Sequence, residues 1–66
     1  MPYTVKQARV LRDFTQAEMA EKMGISRGTY RKIEDNPESA TVKQAKQIAD
    51  ITQISINDIF FSNIST

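Results

Sequence analysis

Residues 16–35 read QAEMAEKMGISRGTYRKIED, and their spacing describes two short amphipathic helices joined at Gly24. Met19, Ala20 and Met23 make an apolar stripe on the first helix. Ile25 plugs the turn, and Tyr30 and Ile33 form the inner face of the second helix. Ala20 falls where the two helices cross closely, so a larger side chain would push them apart. Gly24 can take the left-handed conformation that ends a helix without a Cβ clash. With the inner face fixed, the outer face of the second helix displays Arg27, Gly28, Arg31 and Lys32.

The rest of the composition narrows the chemistry. A chain of 66 residues is expected to be one domain, 1–66. At that size folding buries only about 60% of the chain's surface, too little for a deep catalytic cleft. There is no cysteine and no histidine. Disulfides, thiolate metal sites and the usual proton shuttle are therefore excluded. No enzyme, metal, cofactor or small-molecule ligand is expected. No apolar run approaches the ~20 residues of a membrane span, and Met1-Pro2-Tyr3-Thr4 lacks signal-peptide architecture. A cytoplasmic location follows as the default. Net charge is only +1, but it is unevenly spread. Up to Ile33 there are seven basic and three acidic residues, a net +4; from Glu34 onward there are two basic and five acidic, a net −3. That asymmetry suggests one face for a polyanion, or else ordinary solvated charge.

The spacing predicts five helices. Thr4 caps the first, about Val5 to Arg12, with Val5, Ala8 and Leu11 on one face. Thr15 caps the second, Gln16 to Met23. Glu18 completes a capping box there, and Phe14 is placed to staple onto Met19. Ser26 caps the third, Arg27 to Glu34, which stops before Asn36-Pro37 because proline disfavours helix in the residue before it. Thr41 caps the fourth, Val42 to Thr52, with Val42, Ala45, Ile48 and Ala49 on one face. Ser55 caps a short fifth, Ile56 to Phe60 or Phe61. Residues 62–66 are expected to fray. Strands are not expected, and no internal repeat is evident. The expected fold is all-α, a compact five-helix domain.

Two helices meeting at a glycine corner, with cations on the outer face of the second, have the layout of a helix-turn-helix. That motif sets its second helix in the DNA major groove. The segment resembles the Cro and phage-repressor class, often called the XRE family, with its lambda-repressor-like fold. Gln16, Met19-Ala20, Met23-Gly24-Ile25-Ser26, Tyr30, Ile33 and Glu34 carry the resemblance. It extends to Arg9, seven residues before Gln16, where this family often has an arginine paired with an acidic residue matching Glu34. Ile48-Ala49-Asp50 and residues 54–61 resemble its fourth and fifth helices, so nearly the whole chain is covered.

The resemblance implies double-stranded DNA as partner. Gln16 would hydrogen-bond a phosphate from a helix N-terminus and brace Arg27. Arg27 would reach base edges, where a bidentate bond to guanine is arginine's commonest specific contact. Gly28 belongs to the same base-facing set, and Arg31 and Lys32 would touch bases or the flanking backbone. Ser26 and Thr29 are candidate phosphate contacts, with Asn36 and Lys43 holding the other edge of the groove. Arg9 and Glu34 read as a structural ion pair. The family usually binds pseudo-palindromic operators as symmetric dimers, with half-sites about one DNA turn (~34 Å) apart. Phe60, Phe61 and Ile64 form an apolar C-terminal cluster that suggests a homodimer contact, at least on DNA. The alternative is that Phe61 closes the core of a monomer.

Three positions depart from the family pattern. Gly28 stands where a side chain usually faces DNA, and it costs about 1 kcal/mol of helix stability relative to alanine. Either that position reads nothing or the backbone approaches the duplex there. Asp13 replaces a loop Gly or Asn, and aspartate tolerates the left-handed region better than most residues. Thr52-Gln53 replaces an apolar-Gly pair, which puts the end of the fourth helix in question. The function implied is a sequence-specific transcriptional regulator of phage or mobile-element type, a Cro-like or minimal repressor acting by operator occupancy. The alternative is a protein-interaction module on the same fold, an antitoxin-like partner or a modulator of another repressor.

Overall fold

The computed structural model describes residues 2–61. Four helices start on a hydroxyl. Thr4, Thr15, Ser26 and Thr41 lie in extended backbone, and each accepts a hydrogen bond on its side chain from the N–H three residues on. These caps open α1 (Val5–Leu11), α2 (Gln16–Met23), α3 (Arg27–Asp35) and α4 (Val42–Thr52). Gln7, Glu18 and Gln44 complete capping boxes by accepting from the backbone N–H of Thr4, Thr15 and Thr41 at 2.9, 2.8 and 2.9 Å. Each such cap contributes about 1 kcal/mol.

Three helices also end alike. Asp13 (φ 60°), Gly24 (φ 73°) and Gln53 (φ 60°) turn left-handed. The apolar residue after each donates its N–H five residues back: Phe14 to the Arg9 carbonyl, Ile25 to Ala20 and Ile54 to Ala49. This closure satisfies helix carbonyls that have no partner within the helix. Gln53 makes the turn that glycine makes in α2, at the ordinary cost of a side chain in that region, about 1–2 kcal/mol. Burial of Ile54 offsets it. The end of α4 is held further by Thr52, whose hydroxyl donates to the Ile48 carbonyl at 2.7 Å, and by Arg12 Nε, which donates to the Thr52 carbonyl at 2.6 Å.

The core is built from Val5 and Ala8 of α1, Met19, Ala20 and Met23 of α2, Tyr30 and Ile33 of α3, and Ile48 of α4, closed by Ile54 and Ile59. The α2–α3 contact is the most extensive, with Ala20 buried within it. Full burial of each Met or Ile contributes roughly 1.5–3 kcal/mol. No helix among the described residues is long and apolar enough to cross a membrane.

Several expectations need correction. Among the described residues no fifth α-helix forms. Ser55 caps only a 3-10 turn, Ile56–Asp58, and the chain then becomes a strand. That strand, β2 (Ile59–Phe60), pairs in parallel with β1 (Tyr3–Thr4), Tyr3 opposite Ile59 and Thr4 opposite Phe60. Asn57 and Asp58 favour turns over helix interior, and Ile59 goes inward while Ile56 stays 38% exposed. Leu11 and Val42 are exposed, although their spacing groups them with buried residues. A second 3-10 turn, Pro37–Ser39, bridges α3 and α4. An internal repeat does exist: Thr4-Val5-Lys6-Gln7-Ala8 recurs as Thr41-Val42-Lys43-Gln44-Ala45. Residues 62–66, including Ile64, and the Phe60 side chain lie outside the described part.

Candidate nucleic-acid interface

The outer face of α3 owes its direction to its inner face. Tyr30 is 0% and Ile33 2% exposed, so the helix cannot roll without unburying them. At about 100° per residue, Gly28 lies nearly opposite that buried pair, with Arg31 and Lys32 to either side and Asp35 two turns beyond on the same line. Arg27 lies on the flank shared with Glu34. Arg27, Gly28, Thr29, Arg31, Lys32 and Asp35 are all exposed. Among the described residues, Arg27, Arg31, Lys32 and Lys43 make no ion pair, the recorded bridge being Arg9–Glu34. Asp35 is an acidic member of this face that the sequence reading does not single out. Its helical spacing from Gly28 is the signal that identifies it.

The first turn of α3 is an unfavourable way to begin a helix. It contains no acidic residue and opens on Arg27, a cation at the positive end of the helix dipole. Gly28 follows, and a methyl group built on it meets no atom within 4 Å beyond its chain neighbours and its own helix backbone. The fold itself therefore has room for alanine there. Ser26 and Thr29, assigned to phosphate, are engaged with each other. Ser26 Oγ donates to Thr29 Oγ1 at 2.9 Å and accepts the Thr29 N–H at 3.1 Å. The Ser26 proton is thus committed to Thr29, whereas the Thr29 hydroxyl keeps its own proton as a donor for a phosphate.

A single carboxylate locks α3 to its supports. Glu34 accepts from Arg9 Nε at 2.6 Å and Arg9 Nη2 at 3.3 Å on α1, from Gln16 Nε2 at 3.0 Å on α2, and from the Tyr30 hydroxyl at 2.6 Å on α3. Arg9 Nη1 also donates to the Phe14 carbonyl at 2.8 Å. Burial works to raise the Glu34 carboxyl. Hydrogen bonds from Arg9, Tyr30 and Gln16, with the charge of Arg9, outweigh it and hold the group below its usual range. Burial, then the bond to Glu34, pushes the Tyr30 phenol up, so it stays a neutral donor. Gln16 is thus turned to Glu34, and among the described residues no hydrogen bond joins it to Arg27. A carboxamide has two N–H donors, which leaves one for an anion.

The remaining assigned residues lie outside α2 and α3. Asn36 ends α3, its N–H bonded to the Lys32 carbonyl, and it is exposed. Lys43 is exposed in the first turn of α4. Phe61, assigned to a dimer contact, is partly buried against the core.

Residues 5–59 match the family model described as helix-turn-helix. An uncharacterized HTH-type transcriptional regulator of Methanocaldococcus jannaschii is 37% identical over 60 residues, covering 91% of each chain. No solved structure matches at a comparable level of significance.

Proposed function

This chain belongs to the XRE-type helix-turn-helix family of DNA-binding transcriptional regulators, and on that premise we propose that it reads a specific operator with the outer face of α3. Arg27, Arg31 and Lys32 meet base edges, with Gly28 between them, while Gln16, Ser26, Thr29, Asn36 and Lys43 hold phosphates. Base contacts set sequence preference and phosphate contacts set register. The observation that carries this reading is the opening of α3. An exposed, unpaired cation and a glycine stand where the helix alone would favour an acid and an alanine. A polyanion reverses the sign of the first penalty, and rigid seating on Tyr30, Ile33 and Glu34 means little ordering is needed on binding.

The regulator acts as a minimal, Cro-like repressor, by occupying its operator. It binds a pseudo-palindrome as a homodimer through Phe60, Phe61 and Ile64. Selection of bound sequences from a random DNA pool at fixed salt tests the reading: a palindromic consensus is expected, and no enrichment would end it. Arg27→Ala then weakens the selected site by ~1–3 kcal/mol and relaxes one base position.

A second reading, a protein-interaction module, draws on a different observation. Pro2, Tyr3, Val10 and Leu11 leave an apolar groove on the outer side of α1. A stoichiometric partner on purification, with weak and unselective DNA binding, would favour it.

A further inference from the structure

The first-turn position of α3 that faces directly away from the core is a glycine, and nothing in the fold accounts for it. Gly28 lies nearly opposite the buried pair Tyr30 and Ile33. Its backbone is not in the left-handed region, which among the glycines is reached only by Gly24. Beyond its chain neighbours and its own helix backbone, a Cβ added there meets no atom within 4 Å, so neither conformation nor packing requires its absence. Arg31 and Lys32 flank it, both exposed and without an ion-pair partner among the described residues. A residue pointing straight away from the core is the first to touch whatever α3 docks against.

We infer that Gly28 sets the docking depth of α3. The missing side chain lets the helix backbone come closer to the base-pair edges, and only at that depth do the flanking Arg31 and Lys32 reach bases rather than phosphates. Gly28 is a specificity determinant that works by omission, and its role rests on the operator-reading function proposed above. An added methyl group acts as a spacer. It lifts Arg31 and Lys32 off the bases but leaves long-range attraction to phosphate intact.

The test is Gly28→Ala, examined for folding and for binding in the same buffer and salt. The melting temperature is expected to rise by about 4–8 °C, as removal of an unneeded helix glycine predicts for a domain of this size. Affinity for the sequence selected by the parent protein is expected to fall about tenfold or more, the scale of one disrupted base position. Affinity for unrelated duplex should change less than about twofold, because phosphate attraction dominates it. A melting temperature unchanged or lowered would overturn the inference by making the glycine a requirement of the fold. A variant that binds the selected sequence as tightly as the parent would overturn it too, and would leave operator reading standing. If the parent itself selects no sequence, operator reading and this inference fall together.

Discussion

Val5 and Val42 follow the same threonine, precede the same Lys-Gln-Ala and occupy the same first position of a helix. Val5 is nevertheless 1% exposed and Val42 72%. The two pentapeptides form the same capping box with matching distances, 3.0 Å from Gln7 N to Thr4 Oγ1 and 3.0 Å from Gln44 N to Thr41 Oγ1. Helix initiation is therefore local and repeats with the sequence. Burial is not local: α1 begins beneath the β1–β2 pair and the core, whereas α4 begins after the Pro37–Ser39 turn with its first residue outward. Identical residues serve as structural anchor in one copy and as surface in the other.

This contrast can be broken in three ways. The largest effect is expected from Val5→Ala, which should cost about 2 kcal/mol by emptying a filled core site. Val42→Ala should stay within about 0.5 kcal/mol, as an exposed change does. Urea unfolding measures both, and equal losses would mean the burial difference is wrong. Next come the lysines. Lys43→Ala is expected to weaken DNA binding and reduce the salt slope by about 1, evenly across sequences. Lys6→Ala, on the α1 copy, should leave the slope unchanged; a titration in which both alter it alike would place α1 on the DNA as well. The smallest contrast is a sameness. Thr4→Ala and Thr41→Ala should each lose about 1 kcal/mol, and a difference beyond that size would show that capping here depends on context.

The same division explains what the amino-acid sequence disclosed. The four N-caps, the left-handed turn at Gly24 and the outward set Arg27, Gly28, Arg31 and Lys32 follow from residues within one helical turn of each other, so they were legible. The chain end was not. Ser55 signals a helix start, but whether Ile56 or Ile59 goes inward is decided by β1, more than fifty residues away. Gln53 hides its left-handed turn because glutamine carries no local signal for it; the burial of Ile54 enforces it. The pairing of Arg9 with Glu34 entered through resemblance. The convergence of Gln16 and Tyr30 on the same carboxylate did not, because it needs three helices already packed.

Because Glu34 binds its proton more weakly in the folded protein than in the unfolded chain, acid acts through it as a release. Its contribution to stability is complete above the unfolded value, about pH 4.3, and disappears as pH drops through the lower folded value. Unfolding free energy measured against pH should therefore fall more steeply in the parent than in Glu34→Gln below pH ~4. The group that a proton then takes out of service is the common attachment of α1, α2 and α3, so acid weakens at one carboxylate the mounting of a whole helix.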